Sequence, residues 1–207
     1  MQKGLLLNKK GTKLIWAVPA KNKITVPDSV TSIADNALKA GKATSVYLGK
    51  KVKMIGKDAI AGKKITKVSI AKKNKSIAKQ GQCVYEKKSG KLLIAIAKKN
   101  VVKIGNKVKL ISEAASLCGS RQLKKLDIGA SVKTLQGAWG EFYRAGYVTT
   151  KVYFRSKNPP KLTQNNDKNY CYLPIFRDVY VPKASLKKYK KWYKKNDALQ
   201  FARIKTF

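Results

Sequence analysis

Histidine is absent from this 207-residue chain, and that absence alone removes whole classes of chemistry. Ser-His-Asp and Cys-His catalysis, His-ligated metal centres and His-based pH switching are excluded together. Acidic residues are also scarce, with 10 Asp and Glu against 47 Lys and Arg. None of the ten forms a tight local pair, and a two-carboxylate site would need distant partners such as Glu113 and Glu141 to meet in space. Cysteine occurs three times, at Cys83, Cys118 and Cys171, with no C-x-x-C spacing. Without histidine these cannot assemble a common zinc site, and they read as three small buried hydrophobes. Walker-type and G-x-G-x-x-G phosphate loops are missing. The longest apolar run, Leu92 to Ala97, falls far short of the ~20 residues a membrane helix needs. No enzyme activity, cofactor, metal or membrane span is expected.

What the chain has in excess is lysine. The formal net charge is +37 and the pI about 10.2, which favours polyanions or anionic surfaces as partners. Only Arg121, Arg144, Arg155, Arg177 and Arg203 are arginine. Proteins that read nucleic-acid sequence lean on arginine forks, whereas lysine supplies a hydrated point charge suited to diffuse attraction. The lysines are spread along the chain, often as pairs such as Lys9-Lys10, Lys50-Lys51 and Lys124-Lys125, rather than gathered into one arm. A solvated, solubilising surface and a polyanion-binding surface are both compatible with that spread. Apolar residues make up 43% of the chain, enough to bury a core.

That apolar content is periodic. Val30-Thr-Ser-Ile33, Ala37-Leu38 and Val46-Tyr-Leu48 recur 22 residues later as Val52-Lys-Met-Ile55, Ala59-Ile60 and Val68-Ser-Ile70, with Asp35 and Asp58 matching to within one place. Further copies run Val108-Lys-Leu-Ile111 to Leu126-Asp-Ile128, and Val132-Lys-Thr-Leu135, through Ala138-Trp139, to Val152-Tyr-Phe154. The last two stretch to spacings of 24 and 26 residues, as a loop insertion would make them. A period of ~20–29 residues is that of a leucine-rich-repeat solenoid, with one short strand per coil. The V-x-I alternation is what a half-buried strand requires, and each coil depends on its neighbours for cover. A longer unit occurs twice as well: the runs around Gly11 and around Gly90 each read as a β-hairpin. At an offset of 78, Leu14 falls on Leu92, Ala17 on Ala95 and Asn22 on Asn100.

These phrases together, with Ile24-Thr-Val-Pro27-Asp-Ser-Val30-Thr-Ser-Ile33 as the closest single match, resemble the BspA-like leucine-rich repeat family of bacterial surface proteins. Ser156-Lys-Asn-Pro159-Pro160, Val179-Tyr-Val-Pro182 and Ser185 to Trp192 are similar to that family's terminal unit. Departures lie where Leu38, Ile60 or Trp139 replaces an aromatic, and where Gly49, Ala71 and Gly129 replace the proline kept at Pro27 and Pro182. The resemblance implies a right-handed solenoid of short parallel strands with inserted β-hairpins over residues 1–155. A capping unit with one helix, continuous with the solenoid, would occupy residues 156–207. It also implies a noncatalytic adhesion or binding module, secreted or displayed at a cell surface. Its partner would be a host or cell-surface protein, or an anionic glycan or wall polymer. No catalytic residue is carried over. Export would require a leader ahead of Met1, so the chain reads as a fragment of a longer protein. The competing class is an intracellular basic protein that binds nucleic acid nonspecifically, and in either case a monomer is expected.

Two local readings complete the set. Pro182 to Asn196 is the best helix candidate, with Ser185 as N-cap and Leu186, Tyr189, Trp192 and Tyr193 forming an apolar stripe that would close the stack. Phe201 to Ile204 would add a final strand. If the Val and Ile of each coil point inward, Tyr47, Lys67, Lys125, Lys151, Tyr153 and Arg155 share the outward face and form the candidate ligand-binding surface. Lysine beside tyrosine suits anionic polymers, through ion pairing and ring stacking.

Overall fold

The computed structural model describes residues 4–18, 22–38, 42–61, 64–120, 122–137, 151–163, 177–196 and 202–207. Ala138, Trp139, Glu141, Cys171, Phe201, Arg121 and Arg144, which enter the readings above, lie outside them. The V-x-I phrases are strands with alternating burial, as in β5 (Ser45–Leu48), β14 (Lys125–Ile128) and β16 (Lys151–Phe154). β5 lies parallel between β3 (Lys23–Thr25) and β7 (Lys67–Ile70). After each such strand the chain turns sharply. The amide of Val30 donates to the Pro27 carbonyl, and Val52 does the same to Gly49, Asn74 to Ala71, Val108 to Gly105, Val132 to Gly129 and Ser185 to Pro182. A second, shorter strand follows the turn and stacks parallel on its neighbours. β4 (Ser32–Ile33) pairs with β6 (Met54–Ile55), and β12 (Leu110–Ser112) with β15 (Thr134–Gln136), which pairs in turn with β17 (Lys161–Thr163). A regular coil therefore contributes one rung to each of two parallel ladders, and the apolar side chains fill the space between them.

Two glycines explain part of the departure from proline after the strand. A Cβ at Gly49 would stand 2.5 Å from the Pro27 carbonyl oxygen, and one at Gly129 2.5 Å from that of Ile104. Adjacent coils approach there too closely for any side chain. The acidic match also needs a correction. The structural equivalents are Asn36 and Asp58, 22 residues apart, which share a left-handed backbone at φ 56° and 50°. Asp35 has a different task, accepting the Lys57 amide of the next coil at 2.8 Å.

Both hairpins form. β1 (Leu5–Leu7) is antiparallel to β2 (Lys13–Ala17), and β9 (Cys83–Glu86) to β10 (Leu92–Ile96). The second hairpin interrupts the strand ladder. β8 (Ile77–Gln80) turns back antiparallel onto β9, and β10 pairs parallel with β13 (Ser116–Cys118). The strand ladder resumes with β11 (Val101–Ile104) and runs through β14 and β16 to β18 (Asp178–Val181) and β19 (Arg203–Thr206). The strands that carry the candidate outward face, read from the repeat as one continuous set, are thereby divided between two sheets. Val46, Leu48, Val68 and Ile70 lie in a three-stranded sheet, and Leu126, Ile128, Val152 and Phe154 in a separate five-stranded one. All are buried except Ile70, which is half-buried beside the insertion. Two apolar clusters fill the interior, one from Leu5 to Cys118 and one from Cys83 to Tyr193.

The C-terminal end is closed by α1 (Leu186–Lys195), entered through a 3-10 turn at Lys183–Ser185. Its stripe packs as a cap, with Tyr189 and Tyr193 buried and Leu186 and Trp192 against the core. Ser185 does not cap the helix, because its hydroxyl donates to the Lys157 carbonyl at 2.8 Å. Among the described residues no helix is long and apolar enough to cross a membrane.

Candidate ligand-binding face

The parallel ladder decides which outward side chains meet. Register places Lys125 beside Lys151, Asp127 beside Tyr153, Tyr153 beside Tyr180 and Tyr180 beside Lys205. Lys125, Lys151, Tyr153 and Arg155 of the candidate face therefore belong to one surface. Tyr47 and Lys67 belong to another, on the three-stranded sheet, where Lys23 Nζ is 5.9 Å from the Tyr47 ring. The six candidates do not form a single face because the β8–β10 insertion separates the two sheets.

On the five-stranded sheet the centre is an aromatic stack. Tyr153 and Tyr180 lie ring on ring, with centroids 4.5 Å apart and planes 8° from parallel. Phe207 tilts toward Tyr153 at 6.0 Å. Lys125 Nζ sits 4.1 Å from the Tyr153 centroid, Arg155 Cζ lies 5.2 Å from it, and Arg155 also covers Phe207 at 4.5 Å. These are cation–π distances. β16 lies between β14 and β18, so one face of the Tyr153 ring is covered by Lys125 and the other by Tyr180. That leaves its edge and hydroxyl uncovered by these two neighbours.

Two carboxylates tie the cations in place. Asp127 receives both arms of Arg155 at 2.7 Å and lies 3.8 Å from Lys125. Burial pushes the Asp127 carboxyl up, but the Arg155 hydrogen bonds and the charges of Arg155, Lys125 and Lys103 outweigh it, and its pKa falls below the ordinary value. Asp178 receives Arg203 in the same fork at 3.0 Å and Lys205 at 3.2 Å. Its pKa is held down first by the Arg203 hydrogen bonds. Lys103, Lys125, Lys151, Arg155, Arg203 and Lys205 against Asp127 and Asp178 leave this face cationic.

Tyr180, Arg203, Lys205 and Phe207 were missed because residues after 155 read as a cap. The signal was present: Val179-Tyr-Val181 is another V-x-V strand, buried at both ends and half-exposed in the middle. A second basic feature lies on the turn side of the coils. It is an open cleft of about 410 Å³ lined by Thr31, Lys50, Lys51, Lys53, Lys73, Lys75 and Ser76.

The two described cysteines lack the exposed, electropositive setting of a reactive thiol. Cys83 and Cys118 are buried and free, and burial pushes both thiols up. Among the described residues no group of three Cys, Asp or Glu side chains could hold a metal ion.

Comparison with solved structures finds a leucine-rich cell surface protein of Faecalibacterium prausnitzii, 17% identical, with a TM-score of 0.43. The match covers 87% of this chain and 52% of that one, so the chain spans about half the length of that protein. The pneumococcal vaccine antigen PcpA is similar at 11% identity with a TM-score of 0.22, over 98% of this chain and 82% of the antigen. No curated protein sequence matches significantly. The family model for the BspA-type leucine-rich repeat region matches in six copies across residues 17–139, more than half of the chain. The matched stretch runs over the coils between β2 and β15, and the chain belongs to the BspA-type leucine-rich repeat family.

Proposed function

We infer that this chain is a noncatalytic binding module of a secreted or cell-surface bacterial protein, and that it recognises protein or anionic polymer ligands. The observation that carries the reading is the Tyr153–Tyr180 stack framed by Lys125, Arg155 and Lys205 on a regular sheet. Aromatic and arginine side chains held rigid by their neighbours lose little entropy on binding, which is how anchors of interfaces work. The bidentate Asp127 and Asp178 forks fix the cations before a ligand arrives. Family membership supports surface display and adhesion, which belong to the same proposal.

The turn-side cleft supports a second reading, diffuse attraction of any polyanion, nucleic acid included. The two are separated by matched triple substitutions tested on heparin and on duplex DNA. Lys125→Ala with Lys151→Ala and Arg155→Ala alters the sheet face, while Lys51→Ala with Lys53→Ala and Lys73→Ala alters the cleft. Each triple removes three charges, so counterion release falls equally. The sheet-face reading expects a loss of about tenfold or more in heparin affinity from the first triple and about threefold or less from the second. Tyr180→Ala should add a loss that persists at high salt, because ring contacts are not screened. Equal losses from the two triples, on both polymers, would leave net charge as the only attractant and end the sheet-face reading.

A further inference from the structure

The two hairpins are equivalent residue by residue. Leu5 pairs with Ala17, Leu6 with Trp16 and Leu7 with Leu14, and a constant offset of 78 converts these into the observed pairs Cys83 with Ala95, Val84 with Ile94 and Tyr85 with Leu92. Even the bulge falls at the same place. Their inner faces agree too, since Leu14 and Leu92, and Ala17 and Ala95, are all fully buried.

Their other faces do not agree. Leu6, Ile15, Trp16 and Val18 are 43%, 40%, 37% and 55% exposed. Their counterparts Val84, Leu93, Ile94 and Ile96 are 0%, 8%, 0% and 2% exposed. The cover in the second case is known. β8 pairs antiparallel with β9, and the cluster around Val84, Leu93, Ile94 and Ile96 includes Ala59, Ile60, Ile65, Val68 and Ile77 of the preceding coil. Among the described residues β1 has no such neighbour and is the outer strand of its sheet. A large apolar patch beside an open strand edge is a docking surface rather than a finished end.

We propose that the β1–β2 face receives one further coil of this chain's own repeat pattern, joined ahead of β1 as the β7–β8 coil is joined ahead of β9. The chemistry of the occupant is read from inside the molecule. It carries an antiparallel strand like Ile77–Gln80 and an apolar face like that of Ile60, Ile65 and Val68. In a solenoid such a coil propagates the array, so this end is where repeats are added.

The test supplies the occupant. Residues 22–82 of this sequence are placed directly ahead of Leu5 in the chain, reproducing the β8–β9 entry at the first hairpin. Hydrogen exchange over residues 5–18 is then compared between the extended chain and the parent. The expected result is exchange slowed about tenfold or more at β1, with a single unfolding transition. Leu6→Lys with Trp16→Lys should abolish that protection in the extended chain while leaving the parent's melting temperature unchanged, since both side chains are exposed there. Unchanged exchange, a separate melting step for the added coils, or failure of the extended chain to fold would overturn the proposal. So would concentration-dependent dimerisation of the parent that Trp16→Lys removes, which would assign the face to a second copy.

Discussion

Asn74 occupies a place where other coils carry valine, at Val30, Val52, Val108 and Val132, and it does what valine cannot. Its Nδ2 donates to the carbonyls of Gly49 and Val52 at 2.9 Å, while its Oδ1 accepts the amides of Ser76 and Ile77 at 2.9 Å. Buried at 3% exposure, it clamps one coil to the previous one just before β8 reverses direction. Ser131 makes a smaller version, donating to Val108 at 2.9 Å. Asn74→Ala strands the Val52 carbonyl and the Ser76 and Ile77 amides, while the Gly49 carbonyl keeps the Val52 amide. At about 1 kcal/mol for each stranded group, the expected cost is roughly 3 kcal/mol, read from the urea midpoint. A loss well under 1 kcal/mol would mean that water replaces the amide. Nothing in periodicity marks this residue, because a polar residue at an apolar repeat position looks like decay of the repeat.

At the scale of elements, legibility follows the source of each signal. Strands such as Val46-Tyr-Leu48 were readable because alternation is local, and the hairpins because two apolar runs flank a polar turn. The apolar stripe of α1 was readable for the same reason, although its cap was not, since Ser185 is drawn away to Lys157. The break in the strand ladder was not legible. It depends on β8 choosing an antiparallel partner, a long-range decision that V-x-I spacing does not record. For the candidate face, Lys125, Lys151, Tyr153 and Arg155 were found through the repeat, while Tyr180 and Lys205 were lost behind an assumed boundary. The forks that brace this face give a pH signature. Asp127 and Asp178 ionise more readily folded than unfolded, so their contribution is complete above the unfolded value near pH 4. It is lost as pH falls through their lower folded values. Asp127→Asn should cost about 1 kcal/mol at pH 7, a modest figure because Arg155 is partly exposed to solvent. Asp127→Asn with Asp178→Asn should flatten the fall of the melting temperature between about pH 5 and pH 2. A double variant with the parent's full acid dependence would show that other carboxylates carry it.

At the scale of the whole molecule, two apolar clusters are built from a chain that carries 47 cationic and 10 acidic residues. Parallel ladders place lysines over lysines, as in Lys125 beside Lys151, and even Lys79 lies among like charges. Burial and the charges of Lys98 and Lys67 together lower the Lys79 pKa, and its ammonium donates to the Val68 carbonyl at 2.8 Å. Attractive pairs are few among the described residues, and the closest sit at Asp28, Asp127 and Asp178. Repulsion therefore outweighs attraction over the surface, and it acts more strongly on the compact state than on the expanded one. Screening should then stabilise the fold. Raising sodium chloride from about 0.02 M to 0.3 M shortens the Debye length from roughly 20 Å to under 6 Å and should raise the melting temperature by several degrees. The same salt should weaken heparin binding, because released counterions then return less entropy. Opposite responses of folding and binding to one variable are the signature of a lysine surface that costs stability and attracts polyanions. A melting temperature that stays flat or falls with salt would show that the carboxylate forks, few as they are, dominate the electrostatics of the fold.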